Sequence, residues 1–355
     1  MQSHSSCSVP GNLRKHALCA VVLSFVFFLI TGFGAVVFGS AHAAEGSGSN
    51  KQTVFKVIAP PDPNFIPVAV LREKVSELAP GIAVEIVTAP SGDPSAMRAM
   101  LYSRAADFAL FSTLGGSRFY GAGLDNIALV GVHVWKGVWL VGQKGLKGPE
   151  ALNGKRVLAV PAIKTPPHMV IEKSLNDKGI RPDFVSGGAG PVLMAQLSNP
   201  AKAPLAFVAP EPMVSILLAR QLKEKWPVQY AVMPLWGTVA GFGAGETALG
   251  ALWAVDPQRL AANPGASQAF VAGFRDAVAF VNDPANHDEV SKIVARTMRE
   301  IYGQAAPASV YRSMLASGRL KLDFRPTAAV RARVVRDLND TYGFRVDEGI
   351  FRPVF

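Results

Sequence analysis

Short apolar runs alternate with amphipathic segments along most of the chain, and this alternation predicts an α/β fold. The segments between the runs carry apolar residues at helical spacing, as at Val68, Leu71, Val75 and Leu78. The predicted strands are residues 53–59, 83–88, 106–111, 127–132, 137–141, 157–160, 183–185, 205–208 and 249–255. Strands that alternate with helices favour parallel or mixed sheets covered by helices.

The pattern starts again near residue 137 and changes after residue 268. The repeated order of strands and helices from 137 onward predicts a second α/β lobe, although no repeat is visible in the sequence itself. From Gln268 the spacing is helical, with predicted helices around residues 270–281, 290–298 and 330–338.

The segment LNGKRVLAVPAIKTPPHM, residues 152–169, places a buried strand before a Pro-rich loop and a helix predicted over residues 168–177. A strand end that leads into a helix N-terminus is a common place for small-molecule binding, because unpaired N–H groups and the helix dipole favour negative charge there. An ordinary connection without a ligand fits these residues equally well. The segment is therefore a candidate ligand loop.

The first 43 residues have the order of a secretory signal peptide. Arg14 and Lys15 precede an apolar run over residues 17–38, and Ala41-His42-Ala43 follows as a cleavage site. The small polar residues EGSGSN after this site favour cleavage. The run is also long enough to span a bilayer, so a retained membrane anchor is the alternative. We expect residues 1–43 to be removed and the protein to be periplasmic.

Both cysteines, Cys7 and Cys19, lie in the predicted signal peptide. The predicted mature chain therefore has no disulfide, no thiolate nucleophile and no cysteine ligand for zinc. Hydrophobic residues make up 49% of the 355 residues, enough for a large core without such crosslinks. The net charge of +10 comes from scattered cations, which we interpret as a solvated surface and not as a nucleic-acid site.

Motifs of catalysis and cofactor binding are largely missing. The glycines at 241–245 resemble a dinucleotide fingerprint, but Glu246 stands where Gly or Ala is required. The histidines after residue 43, which are His133, His168 and His287, have no metal-ligand spacing. The sequence predicts no catalytic residue, no metal site and no cofactor.

Carboxylates at three predicted loop tips, Asp62, Asp93 and Glu211, have two interpretations. They fit turn and helix-cap positions, and Asp93 could cap the helix that follows it. An acid/base pair is the alternative, but nothing in the sequence fixes the distance between these groups.

Several segments in this order resemble the solute-binding proteins of ABC importers, in the branch that serves nitrate, sulfonates, taurine and thiamine precursors. The resemblance is carried by FKVIAPPDPNFIPVAVLREK, RAADFALF, LNGKRVLAVP, AFVAPEP and the helical C-terminal region. It implies an α/β fold of the two-lobed type II periplasmic binding class, in which the chain crosses twice between lobes. Lobe one would comprise residues 53–136 and 238–355, and lobe two residues 137–237.

The resemblance also implies function and partners. A small anionic or zwitterionic solute would be clamped between the lobes and delivered to a membrane permease with its ATPase, and the receptor would be a monomer without nucleic acid. The alternatives are an enzyme resembling thiamine-pyrimidine synthases and a periplasmic ligand sensor. The scarcity of histidine and the lack of mature cysteine argue against the enzyme.

The expected ligand contacts follow from the same resemblance, with Trp236 added as an aromatic wall. Lys164, N–H groups around Thr165, and Ser112 would bind an anionic head, and Phe65 or Trp236 would pack against the rest of the solute. The full set of expected ligand-binding residues is Asn64, Phe65, Ser91, Asp93, Ser112, Thr113, Lys164, Thr165, His168, Glu211 and Trp236.

Overall fold

Two β-sheets contain the strands of the described chain. The computed structural model describes residues 52–89, 93–188, 191–233 and 246–355. The predicted signal peptide and the Gly-rich stretch at 241–245 lie outside the described residues. Residues Lys51–Phe355 form one compact unit that includes both sheets.

The elements alternate much as the apolar pattern predicts. The strands are β1 (Thr53–Ala59), β2 (Ile82–Thr88), β3 (Phe108–Ser112), β4 (Ala128–Lys136), β5 (Val138–Gln143), β6 (Arg156–Ala159), β7 (Asp183–Ser186), β8 (Ala206–Pro210), β9 (Tyr230–Val232), β10 (Gly250–Ala254) and β11 (Lys321–Pro326). The helices are α1 (Phe65–Glu73), α2 (Val75–Leu78), α3 (Pro94–Tyr102), α4 (Thr113–Gly121), α5 (Pro166–Asn176), α6 (Pro191–Ser198), α7 (Met213–Lys223), α8 (Pro257–Ala261), α9 (Pro264–Asn282), α10 (His287–Tyr302), α11 (Ala308–Ala316) and α12 (Thr327–Tyr342).

The first sheet has the strand order β2-β1-β3-β10-β4-β11. Strands β1, β2 and β3 are parallel, and β10 runs antiparallel between β3 and β4. Strands β3, β4 and β10 are buried along almost their whole length, which explains why their sequences are continuous apolar runs and not alternating ones. The rings of Phe108 and Phe270 stack 4.2 Å apart beneath this sheet.

The second sheet has the order β7-β6-β8-β5-β9. Strands β6, β7 and β8 are parallel, and β5 is antiparallel to β8 and β9. The chain passes from the first sheet to the second after β4 and returns before β10. The predicted fold class, an α/β chain with two sheets and two crossings, is thus confirmed. The predicted lobe boundary at residues 237 and 238 lies outside the described residues.

Every predicted strand is present, with ends shifted by a few residues, but other elements were missed. Helices α4, α8 and α11 and strand β9 had no counterpart among the predicted elements. Among the predicted helices after Gln268, strand β11 was also not predicted; it pairs antiparallel with β4 at the sheet edge. In the described part of the chain, no helix combines the length and apolar character needed to span a bilayer.

Candidate functional site

A cavity of about 360 Å³ has walls from both sheets. The first sheet contributes residues near the ends of β1, β3, β4 and β10, and the second contributes residues near β5, β6 and β8. Clefts of this size are typical of sites for small ligands. The cavity is therefore the candidate site.

Four helices begin at the cavity wall. The residues that directly precede α1, α3, α4 and α5 are Asn64, Asp93, Ser112 and Thr165, and all four line the cavity. Strands β1, β2 and β3 are parallel, so the turns after them lie at one edge of the first sheet, and the turn after β6 of the second sheet lines the same cavity. Each helix start carries partial positive charge from unpaired N–H groups.

Carboxylates already neutralise two of these helix starts. At α1, the backbone N–H of Asn64 donates to Asp62 Oδ1 at 2.8 Å. At α3, Asp93 accepts from the N–H groups of Ser95 and Ala96 at 2.9 and 3.1 Å. The predicted cap role of Asp93 is confirmed, and the residue also lines the cavity. These two ends offer little to an anion.

The start of α4 remains open to a ligand. Ser112 Oγ accepts from the N–H of Gly115 at 3.0 Å, which leaves the hydroxyl hydrogen for a further acceptor. Thr113, expected to contact the ligand, is buried instead and is absent from the cavity lining. Its N–H donates to Leu249 O at 3.1 Å and its hydroxyl to Ala248 O, so it fixes α4 to β10.

The start of α5 differs from the expectation of several free N–H groups. Pro166 and Pro167 occupy its first two positions, and proline has no N–H to donate. Lys164 adopts a left-handed backbone conformation with φ of 62°, and its N–H donates to His168 Nδ1 at 3.2 Å. Thr165 also lines the cavity, but its hydroxyl donates to Ala162 O at 2.7 Å, so an anion at this end would depend on the side chain of Lys164.

His168 holds the loop and does not line the cavity. Only 4% of its surface is exposed, and its ring meets Phe184 edge-on at 4.6 Å. Since Nδ1 accepts the N–H of Lys164, the imidazole is neutral in this arrangement. Burial lowers the pKa of His168, and the nearby Glu172 carboxylate only partly offsets that effect. The expected ligand contact is replaced by a structural role.

Two cations line the cavity without a carboxylate partner among the described residues. Lys164 is one, and Arg118 on α4 is the other; the Nη2 atom of Arg118 lies 3.7 Å from Met169 Sδ on α5. Neither forms an ion pair within the described ranges. Arg118 was absent from the sequence-based site because α4 itself was not predicted.

Apolar side chains form most of the remaining wall. Phe111 and Phe119 meet edge-on with ring centroids 5.9 Å apart. The other large apolar members of the lining are Met97, Leu114, Val134, Val138 and Leu249.

Asp62 and Asn64 form the polar part of the wall beside β10. The side-chain amide of Asn64 donates through Nδ2 to Asp62 Oδ1 at 2.8 Å, and Asn64 Oδ1 is buried without a hydrogen-bond donor among the described residues. Burial raises the pKa of Asp62 to about 6, although the two hydrogen bonds from Asn64 oppose the shift. Gly250 packs against this pair, and a side chain at position 250 would overlap the Asn64 amide. We call Asp62, Asn64 and Gly250 the polar corner of the cavity.

Two further expected contacts lie away from the cavity. Phe65 is fully buried at the start of α1, where its ring meets Tyr302 edge-on at 5.8 Å. Glu211 is fully buried and accepts from Arg319 Nε at 2.6 Å and from the Ser215 N–H at 3.0 Å. Phe65 is thus part of the core, and Glu211 joins the second sheet to the segment before β11.

Ser91 and Trp236, both expected to contact the solute, lie outside the described residues. Within the described ranges, no three histidine, cysteine or carboxylate side chains are grouped as metal ligands.

No family model matches the sequence, and no curated protein matches it. Solved structures do match. The periplasmic aliphatic sulphonate binding protein SsuA from Escherichia coli is 17% identical, with a TM-score of 0.60 over 81% of this chain and 91% of that one. An ABC transporter structure from Parabacteroides distasonis is 18% identical, with a TM-score of 0.61 over 85% of this chain and 99% of that one.

The periplasmic nitrate-binding protein NrtA from Synechocystis PCC 6803 is 16% identical, with a TM-score of 0.54 over 75% of this chain and 70% of that one. The resemblance to solute-binding proteins is therefore confirmed at the level of fold. At these identities the likeness establishes the periplasmic binding protein fold and leaves the solute open.

Proposed function

We propose that this protein is a non-catalytic solute receptor that binds a small anionic or zwitterionic molecule in the cavity between its two sheets. The observation that carries the proposal is the pair of cations, Arg118 and Lys164, that line the cavity with no carboxylate partner among the described residues. Both cations are exposed and solvated in the free protein, so an anionic group of a ligand could form charge-assisted hydrogen bonds with them.

The anion would lie between the starts of α4 and α5. Arg118 and Lys164 supply charge, and Ser112 supplies a hydroxyl group at the start of α4. Charge-assisted hydrogen bonds of this kind are stronger than neutral ones. The apolar wall around Phe111 and Phe119 would hold the remainder of the solute.

The wider role follows from the fold that the chain shares with binding components of ABC importers. The two sheets would be the centres of two lobes that close over the solute by a hinge motion about the crossings. The receptor would be exported by a cleaved signal peptide, act as a monomer in the periplasm, and deliver its solute to a membrane permease with its ATPase. Sulfonates and nitrate, named for two structural neighbours, are reasonable first solutes to test.

Native mass spectrometry of freshly purified protein, followed by titration calorimetry with the retained solute, tests this function. We expect Arg118→Met and Lys164→Ala each to weaken the affinity by about 10-fold to 100-fold, because each removes a charge-assisted contact. Lys202→Ala, at an exposed position away from the cavity, is the matched control. Unchanged affinity in both cavity variants would contradict an anion site here.

The enzyme alternative makes a separate expectation. A thiamine-pyrimidine-synthase-like protein would carry a cofactor on a lysine, and Lys164 is the lysine at the cavity wall. A pyridoxal absorbance band in purified protein that disappears in Lys164→Ala would favour the enzyme over the receptor.

A further inference from the structure

The polar corner formed by Asp62, Asn64 and Gly250 presents a carboxylate to the cavity. The Asn64 amide orientation is fixed by its neighbour, since Nδ2 donates to the carboxylate of Asp62 and a carboxylate accepts only. Asn64 Oδ1 must then point away from Asp62. It is buried in a residue with 6% of its surface exposed, and it has no donor among the described residues.

Asp62 adds a second acceptor with no compensating cation. Both donors from Asn64 reach the same oxygen, Oδ1, and no ion pair to Asp62 exists within the described ranges. Arg72 and Asp62 both lie near Tyr302. Arg72, however, forms an ion pair with Glu300, with Nη2 and Oε2 3.6 Å apart. His133 lies close to the Asn64 backbone, but burial lowers its pKa to about 3, so it is neutral and supplies no charge.

Gly250 packs directly against the buried amide oxygen of Asn64. Gly250 and Asn64 both line the wall, and any β-carbon at position 250 would overlap Asn64 Oδ1. Glycine is required where backbone approaches another group this closely. The corner therefore holds the Asn64 amide on one oxygen of Asp62 and leaves the other carboxylate oxygen without a hydrogen-bond donor among the described residues.

We infer that the solute carries a cationic nitrogen with N–H donors, an ammonium or an amidinium, that binds against the carboxylate of Asp62 while its anionic group lies at Arg118 and Lys164. This inference rests on the proposed function and narrows the solute to a zwitterion. The carboxylate gains both a hydrogen-bond donor and a counter-charge. The apolar side chains of the cavity wall fit methylene groups of such a solute.

The inference is tested with matched pairs of compounds, in which one member has an ammonium group where the other has a methyl group. Titration calorimetry measures the affinity of the protein for each member. The pairs are homotaurine with butanesulfonate, γ-aminobutyrate with valerate, and ε-aminocaproate with heptanoate. We expect at least one aminated member to bind about tenfold or more tightly than its methyl partner. Equal binding within every pair, or binding of no aminated member, overturns the inference.

Two variants connect any preference to this corner. Asp62→Asn keeps the shape and an acceptor for Asn64, and it should reduce the preference for the aminated member by about tenfold or more while the methyl partner binds as before. Gly250→Ala should weaken binding of the aminated member, because it displaces the Asn64 amide that holds the Asp62 carboxylate in place. Asp183→Asn, at an exposed carboxylate of β7, is the matched control. If both cavity variants still prefer the aminated compound, its ammonium group binds elsewhere and the inference is wrong.

Native mass spectrometry separates this inference from the proposed function. A retained solute without a basic nitrogen would overturn the zwitterion while leaving the receptor role intact. The absence of both a retained solute and binding by every compound in the pairs would count against both.

Discussion

At the scale of single residues, burial shifts the pKa values of polar groups around the cavity and so favours their neutral forms. His168 is an example. It was expected to contact the ligand, but in the structure it forms a hydrogen bond that holds the loop before α5. Its Nδ1 accepts a hydrogen bond from the N–H of Lys164, which has a left-handed backbone conformation. The Lys164 side chain is one of the two cavity cations that have no carboxylate partner among the described residues. A histidine that must stay neutral makes the loop sensitive to acid.

We expect the contribution of His168 to stability to be lost in acid. Its pKa in the folded protein is lowered by burial, so the unfolded chain binds the proton more readily and the free energy of unfolding decreases as the pH falls below about 6.5. Urea unfolding of the wild type and of His168→Gln from about pH 7 to about pH 5 measures this. The wild type should lose its advantage over the variant across that interval.

His287→Gln serves as the control, since His287 lies at the start of α10 and away from the cavity. An unchanged difference between wild type and His168→Gln across the pH range would refute a neutral, hydrogen-bonded His168.

At the scale of elements, α4 shows how a contact can override local propensity. Its sequence TLGGSRFYG contains three glycines, which are poor helix formers, and the pattern therefore gave no helix. In the structure, Gly116 packs directly against the Trp253 ring of β10, where a β-carbon would overlap the indole. The helix thereby carries Arg118 to the cavity wall.

Gly116→Ala tests this packing. Alanine favours a helix by about 1 kcal/mol, but the overlap with Trp253 should destabilise the protein by about 1–3 kcal/mol net. Gly265→Ala in α9 is the matched control, because nothing lies within 4 Å of a β-carbon there and the change should be neutral or slightly stabilising. Urea unfolding of both variants gives the comparison, and equal effects would argue against the tight contact.

At the scale of the whole molecule, the ion pair of Glu211 and Arg319 connects the two sheet regions. Glu211 follows β8 of the second sheet, and Arg319 precedes β11 of the first. The Glu211 carboxylate is fully buried, and Arg319 Nη2 also donates to Ser215 Oγ at 2.7 Å. The Trp139 indole donates to the Arg319 carbonyl at 3.1 Å, which places the same turn against β5.

Arg319→Met should destabilise the protein by about 3 kcal/mol or more, because it leaves a buried carboxylate without its counter-charge. Adding Glu211→Gln should recover a large part of that loss, since the remaining group is neutral. Lys173→Met, which removes an ion pair to Asp177 within α5, should cost less than about 1 kcal/mol. Thermal unfolding of the three proteins measures the pattern, and a small effect of Arg319→Met would show that Glu211 is compensated by other groups.

The cavity illustrates how far sequence reasoning reached. The resemblance to solute-binding proteins implied that the loops after β1, β2, β3 and β6 meet at one site, and five of the expected residues line the cavity. Those five are Asn64, Asp93, Ser112, Lys164 and Thr165. Phe65, Thr113 and His168 are adjacent in sequence to lining positions but point into the core. Periodicity cannot distinguish these orientations at a strand-to-helix turn, because no regular repeat extends through it.

The sequence by itself determined the order of most strands and helices, because burial imposes an apolar pattern on each segment separately. It also determined the α/β class and the turns at which polar groups collect. Only the tertiary structure decided that Gly116 belongs to a helix, that Glu211 pairs with Arg319, and that Arg118 and Gly250 lie at the cavity. Each depends on contacts between residues far apart in the chain, and a local pattern carries no information about which distant surface a residue will meet.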